Sequence, residues 1–134
     1  MKVDALKNWL GRWLPVIICL IVIFIGSSIG SIPKVGGKTI DSIVHRIAHL
    51  IEYAILGLFL LRALSERGEM TWRRVLVVAL LCGLYGVTDE FHQRFVPGRS
   101  SELSAVIFDF GGGLMGAWIY RWWWRRRSRS IDVG

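Results

Sequence analysis

The sequence predicts an all-α membrane protein, a compact bundle of four transmembrane helices with both termini in the cytoplasm. Three observations lead to this prediction. Hydrophobic residues make up 53% of the 134 residues and the mean hydropathy is positive, which is typical of membrane proteins. Four apolar segments each approach the roughly 20 residues that a helix needs to cross a bilayer. The short segments between them are rich in glycine, proline and charged residues.

The first apolar segment covers residues 14–32 and follows Lys2, Lys7 and Arg12. A basic start before an apolar run is also typical of a signal peptide. This segment is about 19 residues long, enough to span a bilayer, and no convincing cleavage site of small residues follows it. We therefore expect an uncleaved first helix.

The other three apolar segments and a basic tail complete a single domain over residues 1–134. We expect them at about residues 43–64, 75–95 and 103–124, with the tail at 125–134. They are too continuously apolar for the alternating strands of a β-barrel, and lipid offers no partner for backbone amides, so each is predicted to be a helix. The short turns predict antiparallel neighbours.

Basic residues predict which way the helices run. Twelve of the 17 Lys and Arg residues lie in the N-terminus, the loop after the second helix and the C-terminus, and six of the seven tryptophans flank the same side. This side is therefore expected to face the cytoplasm. The basic residues lie between apolar runs, so anionic lipid headgroups are the expected partner and nucleic acid is not.

Small residues predict where helices touch. Gly26 with Gly30, and Gly112 with Gly116, are spaced four apart, which allows two helix backbones to approach closely. Both cysteines lie inside apolar stretches without a partner at metal-ligand spacing, and we interpret them as packing residues.

Polar residues collect at the end of the predicted bundle that faces outward. They begin the second helix, end the third and start the fourth: His45, Arg46, His49, Glu52, Thr88, Asp89, Glu90, His92, Gln93, Arg94, Arg99, Glu102 and Asp109. Ionisable side chains at the bilayer centre cost at least about 2.5 kcal/mol each, so they normally face the bundle interior or a wet cavity. We therefore expect a polar pocket open to the outer leaflet.

Helical spacing places these residues on common faces. His45, His49 and Glu52 share one face of the second helix. Asp89, His92 and Gln93 share one face of the third. Side chains near helix ends also extend to the interface, and this simpler interpretation fits Glu102, Arg94, His45 and Arg46.

Three kinds of chemistry are open to this set. Carboxylates and histidines bind divalent metals, although no HExxH motif is present, and a histidine with a carboxylate acts as a general acid and base. An arginine beside a turn holds a phosphate or a carboxylate. No Ser-His-Asp, nucleophile-elbow or phosphate-loop pattern occurs, and the sequence leaves the metal and any cofactor unspecified.

Three patterns contain these residues: RIAHLIEYAILG at residues 46–57, TDEFHQRFVPGR at residues 88–99, and Asp109 followed by Gly112 and Gly116. Together they resemble the VanZ-like family of small bacterial membrane proteins, over about residues 32–119. The Asp-Glu-x-x-Gln-x-x-x-Pro-Gly-Arg string is a specific signal. The family pattern usually has a second Asp where this chain has Ala105, which weighs against an activity that needs two carboxylates on the fourth helix.

The resemblance implies a multi-pass protein of the bacterial cytoplasmic membrane with a link to the cell envelope, since the family's namesake is associated with resistance to the glycopeptide antibiotic teicoplanin. We expect the protein to bind or handle an anionic lipid or lipid-linked precursor in the polar pocket. The alternatives are a membrane-embedded hydrolase or transferase acting on a lipid headgroup, a proton or substrate relay, and a structural subunit with internal ion pairs. Homo-oligomerisation is compatible with each of them.

The candidate site residues follow from these hypotheses, and whether the protein is an enzyme is left open. The expected ligand-binding residues are Arg99, Asp89, Gln93, Glu52, Arg46, Tyr53 and His92. The expected catalytic residues are Glu90, His49 and Asp109. Arg99 is expected to hold a phosphate or carboxylate group, and Glu90 or His49 is expected to be the general base.

Overall fold

Each of the four apolar segments forms one long helix. The computed structural model describes residues 2–30, 38–65, 70–99 and 101–131. The helices are α1 (Lys2–Ser28), α2 (Lys38–Leu64), α3 (Trp72–Gln93) and α4 (Ala105–Ile131). No strand occurs within these described ranges. The predicted all-α helical bundle is therefore confirmed.

α1 and α4 extend well beyond one end of the apolar segments that predicted them, whereas α1 ends early at Ser28, α3 ends early at Gln93 and α4 begins late at Ala105. α1 begins at Lys2 rather than near residue 14, and α4 continues to Ile131 through most of the predicted basic tail. A helix continues wherever its backbone hydrogen bonds form, whereas hydropathy marks only its apolar part. Outside the described residues lie residues 132–134 of that tail, residues 31 and 32 of the first predicted segment, and residues 33–37, 66–69 and 100 of the predicted turns.

α1 contains Pro15 in its interior. Proline lacks the N–H that would bond the carbonyl four residues earlier, which is that of Gly11. The Gly11 carbonyl instead accepts a hydrogen bond from Arg62 Nη2 at 3.4 Å. Because Arg62 lies in the last turn of α2, this contact joins the two helices at the end of the bundle that holds both termini.

Within the described ranges, three helices are long and apolar enough to cross a membrane by length and composition: residues 6–28 of α1, 39–64 of α2 and 72–93 of α3. α4 is as long as α1, but Asp109, four glycines and its arginines lower its apolar content. Large apolar side chains are exposed on the outer faces of the bundle, as expected of surfaces that face lipid. The chain is a membrane protein, while the crossing by α4 and the cytoplasmic position of both termini remain predictions.

α4 packs closely against α2 because glycines remove side chains from their interface. A Cβ atom at Gly116 would collide with the Ala54 backbone, and one at Gly57 would collide with Gly113. Gly112 likewise lies against the α2 backbone. The close contact predicted at Gly112 and Gly116 is therefore confirmed.

α1 is held less tightly, by contacts with α2 and α3. Gly26 is exposed and an added Cβ would meet no atom within 4 Å, so the close contact predicted there is wrong. Gly30 lies against the carbonyl of Pro97 in the turn after α3. The Tyr85 hydroxyl of α3 donates a hydrogen bond to the Leu20 carbonyl at 2.8 Å and thereby ties α3 to α1.

The half of the bundle that holds both termini has an apolar core. Val75, Val78 and Cys82 of α3 are fully buried within it, and Cys82 is a packing residue as predicted. At the surface of the same end, the Arg121 guanidinium lies 4.5 Å from the centre of the Trp72 ring. Such arginine and tryptophan pairs suit a membrane–water interface. The opposite half of the bundle buries polar residues instead.

Replacing Gly116 by alanine is expected to destabilise the protein, because the added methyl group collides with the Ala54 backbone and pushes α2 and α4 apart. Overpacking of this kind typically costs about 1–3 kcal/mol. Thermal unfolding in detergent, followed by tryptophan fluorescence, measures the effect. Gly111→Ala on the same helix is the matched control, since an added Cβ there reaches only Leu50 Cδ1 at 4.0 Å. An unchanged melting temperature for Gly116→Ala would contradict the close helix contact.

Candidate functional site

Six polar side chains from three helices are buried together at the end of the bundle opposite the termini. They are His49 and Tyr53 of α2, Asp89, Glu90 and Gln93 of α3, and Asp109 of α4. None of them is more than 4% exposed. These six residues are called the polar cluster below. Each was a candidate site residue from the sequence, and the structure brings all six together.

A hydrogen bond between His49 and Asp109 lies at the centre of the polar cluster. His49 Nδ1 and Asp109 Oδ1 are 2.9 Å apart, and the Asp109 side chain is fully buried. Gly86 of α3 makes room for this carboxylate, because a Cβ atom there would collide with it. The Tyr53 ring lies nearly parallel to the imidazole, with ring centres 6.0 Å apart and an angle of 17° between the ring planes. The His49 ring is therefore fixed in orientation.

Several atoms of the polar cluster have no hydrogen-bond partner among the described residues. They are the Tyr53 hydroxyl, Asp89 Oδ1, Glu90 Oε1, Gln93 Oε1 and Asp109 Oδ2. Gln93 Nε2 donates to Asp89 Oδ2 at 2.9 Å, so only one oxygen of that carboxylate is satisfied. A buried polar group without a partner costs about 1–3 kcal/mol. The polar cluster therefore favours the binding of a further polar group.

The turn after α3 folds back and holds Glu90. The backbone N–H of Glu102 donates to Glu90 Oε2 at 2.8 Å. Gly98 lets the turn fold back toward α3, because its φ of 82° lies in the left-handed region, which favours glycine. The Ser101 hydroxyl lies near the same carboxylate but makes no hydrogen bond of ordinary geometry with it. One oxygen of Glu90 is therefore fixed, and the other faces the interior.

Charged and polar side chains surround the polar cluster. This rim consists of His45, Arg46, Glu52, Arg99 and Glu102. Arg46 Nη2 donates to Glu102 Oε2 at 2.9 Å, and this hydrogen bond holds the pKa of Glu102 below its usual range. The ion pair is therefore formed at neutral pH and is lost only as the pH falls through that lowered value. Glu52 is half-buried and lies within electrostatic range of His49.

Arg99 binds the end of α1. Its Nη2 donates to the carbonyl of Gly26 at 2.9 Å, and its Nε donates to the carbonyl of Ser27 at 3.3 Å. The last carbonyls of a helix lack intrahelical partners and carry partial negative charge, so a guanidinium stabilises them. The sequence predicted Arg99 as the group that holds an anion, and it gave no sign of this contact with backbone carbonyls.

The histidines are arranged differently from the sequence prediction. His92, which helical spacing places on one face of α3 with Asp89 and Gln93, turns toward α1. Its Nε2 lies 3.0 Å from the Ser28 hydroxyl, and its ring centre lies 4.7 Å from that of Phe24. His45, interpreted from the sequence as an interface residue, instead places its ring centre 4.4 Å from that of His49. The four-residue spacing of His45 and His49 was the signal for this contact.

The six residues of the polar cluster are at most 4% exposed, and the polar pocket expected to open to the outer leaflet stays a prediction. Two concave grooves lie elsewhere on the described surface. One lies between α3 and α4 and is lined by Trp72, Gly111, Leu114, Met115 and Trp118. The other lies between α2 and α4 and is lined by Ile51, Ala54, Ile55, Leu58, Met115, Gly116 and Ile119. Both grooves are apolar.

The arrangement supports two kinds of chemistry. With Nδ1 of His49 paired to Asp109, its Nε2 is the atom that can accept or donate a proton, as in a general base. One ligand atom each from His45, His49 and Glu90 lie within 4.8 Å of one another, a spacing near that of a metal site. Both depend on the fixed orientation of His49.

A family model described as VanZ/LLP1 matches residues 10–124 of the chain. The match includes all of the polar cluster and its rim, together with most of each helix. Comparison with curated proteins and comparison with solved structures give no match.

His49→Leu is expected to destabilise the protein by about 3–5 kcal/mol, because it leaves Asp109 as a buried carboxylate without its partner. Adding Asp109→Asn replaces that carboxylate by a neutral amide and is expected to recover part of the loss. Unfolding in detergent micelles measures both single variants and the double variant. His92→Leu, which removes an imidazole outside the polar cluster, is the control. Purely additive effects of the two substitutions would contradict the contact between their side chains.

Proposed function

The chain belongs to the VanZ/LLP1 family, and we propose that it binds an anionic lipid or lipid-linked precursor of the bacterial cell envelope at the polar end of its bundle. The observation that carries this function is the polar cluster, which buries six polar residues and leaves several of their oxygens without partners among the described residues. Ionisable residues at membrane depth normally mark a binding or transport site. Resistance to glycopeptide antibiotics such as teicoplanin is the cellular role that we infer from the family.

The unpartnered atoms of the polar cluster suit a headgroup that offers hydrogen-bond donors. Asp89 Oδ1, Gln93 Oε1 and Asp109 Oδ2 are acceptors without partners within the described ranges. Hydroxyl groups of a glycerol or sugar headgroup, or an ammonium group, would satisfy them. Such a headgroup would reach them through the rim, because the polar cluster itself is at most 4% exposed.

The rim supplies cationic groups for a phosphate. Arg46 Nε has no hydrogen-bond partner in the described part of the chain. The Arg99 guanidinium has five N–H donors, more than the two carbonyls of α1 accept. Arginine binds phosphate oxygens with parallel charge-assisted hydrogen bonds. A headgroup that combines a phosphate with hydroxyl or ammonium groups therefore matches the rim and the polar cluster together.

Apolar surface beside the rim suits the acyl chains of the same lipid. The groove between α2 and α4 begins at Ile51, next to Glu52 of the rim, and extends past Leu58 to Ile119. Its lining is apolar throughout. A lipid whose headgroup lies on the rim would extend a chain along this groove toward the middle of the bundle.

The His49–Asp109 hydrogen bond favours a second candidate function, hydrolysis or group transfer on a lipid headgroup. Asp109 orients the imidazole, so His49 Nε2 or the Glu90 carboxylate would act as general base. Ala105 stands where a second carboxylate of α4 would lie, which weighs against a reaction that needs a pair on that helix. Turnover separates the two functions. Product that forms with the wild-type protein and not with Glu90→Gln, while lipid still binds, would favour the enzyme.

Phosphatidylglycerol is expected to bind the protein more tightly than phosphatidylcholine does, and Arg99→Ala is expected to weaken that binding about 10- to 150-fold. The reason is the loss of charge-assisted hydrogen bonds, each worth about 1.5–3 kcal/mol. Native mass spectrometry of the protein in detergent micelles, titrated with each lipid, measures both affinities. The same spectra of the gently purified protein identify any lipid that remains bound.

Arg94→Ala is the matched control, since it removes the same charge from an exposed side chain at the same end of α3. Thermal unfolding separates lost binding from lost structure, because Arg99 also stabilises the end of α1. Equal phosphatidylglycerol binding by folded Arg99→Ala, Arg94→Ala and wild-type protein would contradict headgroup recognition at the rim. In cells that depend on the protein, Glu90→Gln is expected to change lipid composition or glycopeptide sensitivity.

A further inference from the structure

The geometry points to a binding site for one divalent transition-metal ion, such as Zn²⁺, formed by His45, His49 and Glu90. Each residue offers one ligand atom, and the three atoms lie within 4.8 Å of one another. Two atoms bound to one ion at about 2.1 Å lie at most about 4.2 Å apart, so small side-chain rotations complete the site. A cation at this position would bind whether or not a lipid occupies the rim.

α2 places both imidazoles on one face. His45 and His49 are four residues apart, one helical turn, and their ring planes meet at 76° with ring centres 4.4 Å apart. A pair of histidines at this spacing on a helix is a recurring way to provide two metal ligands. The chain has three histidines, and the third, His92, turns away to Ser28 of α1.

Asp109 prepares His49 for metal binding. Its carboxylate lies 2.9 Å from His49 Nδ1, so the imidazole donates that N–H and presents Nε2 as the ligand atom. Histidines that bind metals usually donate the other ring nitrogen to a carboxylate or a carbonyl, which fixes the ring and raises its basicity. Asp109 is completely buried and would act through His49 rather than as a ligand. It is therefore a positioning residue for the ion.

One carboxylate oxygen of Glu90 accepts a backbone hydrogen bond, and the other is available to bind a metal ion. Oε2 accepts the hydrogen bond from the backbone N–H of Glu102, whereas Oε1 is buried and has no hydrogen-bond partner among the residues that the structure describes. The Glu90 side chain is 1% exposed, so bulk water does not satisfy this oxygen. A buried carboxylate oxygen without a partner is unfavourable, and a metal ion would supply the missing interaction.

Negative charge around the three residues also favours a dication. Glu52, Asp89 and Asp109 lie within electrostatic range of His49. Arg99 of the rim lies within electrostatic range of His45, but its guanidinium donates to the carbonyls at the end of α1. Carboxylates at membrane depth are unfavourable unless cations compensate them, and a divalent ion would compensate this group.

The ligand set indicates which class of ion would bind. Two imidazoles and one carboxylate occur in catalytic zinc sites and in non-haem Fe(II) sites, whereas Mg²⁺ and Ca²⁺ prefer oxygen ligands throughout. Three protein ligands leave a further coordination position for water or for an oxygen of a bound molecule. His45 is half-buried, so the set of three ligand residues reaches the surface at the rim. A headgroup phosphate is proposed to bind there.

Titration with Zn²⁺ tests the site directly. The protein is purified without a histidine tag, stripped with a chelator, and titrated with Zn²⁺ and in parallel with Co²⁺, whose visible absorption reports its coordination. One Zn²⁺ per chain is expected by elemental mass spectrometry after gel filtration. His45→Asn, which removes a ligand, and Asp109→Asn, which removes the positioning carboxylate, are expected to weaken Zn²⁺ binding by at least about 100-fold and by about 10- to 100-fold, respectively.

His92→Asn is the matched control and is expected to bind Zn²⁺ as the wild-type protein does, because His92 lies outside the site. Folded wild-type protein that binds no stoichiometric Zn²⁺, or folded His45→Asn and Glu90→Gln proteins that bind it unchanged, would overturn the site. A phosphatidylglycerol titration of the same proteins distinguishes the metal site from the proposed lipid site. If His45→Asn loses Zn²⁺ binding but still binds phosphatidylglycerol selectively, both sites are supported and are independent of each other. If the wild-type protein binds Zn²⁺ and no lipid, the metal site alone is supported.

Discussion

The hydrogen bond between His49 and Asp109 joins α2 to α4 where both helices carry ionisable groups into the bundle, and the polar end of the molecule is built around it. Lipid cannot solvate either group, so each must find its partner inside the protein. The bond requires α2 and α4 to lie close together with Gly86 of α3 beside them. The stacking of Tyr53 and the position of His45 beside His49 depend on the same fixed ring.

Backbone groups hold the remaining parts of the polar end in place. The N–H of Glu102 fixes Glu90 from the turn, and Arg99 of the same turn fixes the last carbonyls of α1. One turn therefore connects the buried carboxylate of α3 to the end of α1, the helix that packs least tightly against the others. At the opposite end, arginines lie against tryptophan rings and against backbone carbonyls such as that of Met70. The bundle thus has an apolar, arginine-capped half and a polar half with different chemistry.

The sequence predicted the helices and the convergence of the six residues of the polar cluster, because apolar length and helical spacing are both local properties. It did not predict where the helices begin and end, since α1 and α4 continue beyond their apolar parts. Spacing placed His92 on one face with Asp89 and Gln93 but did not predict its contact with α1, because a polar face of a helix is wide enough to contact two different helices. The contacts of Arg99 were not predictable either, because a backbone carbonyl has no signature in the sequence. The closed packing of the polar cluster depends on the close approach of α2 and α4, which only the three-dimensional arrangement determines.

The two partners of the central hydrogen bond are 60 residues apart in the chain. At synthesis rates of about 5–20 residues per second, roughly 3–12 s separate the emergence of His49 from that of Asp109. During that interval the imidazole of α2 has emerged and its carboxylate partner has not. The insertion machinery, or water at the membrane surface, must therefore accommodate the first half of the protein until α4 arrives, which makes the arrival of the last helix the step that completes the polar end.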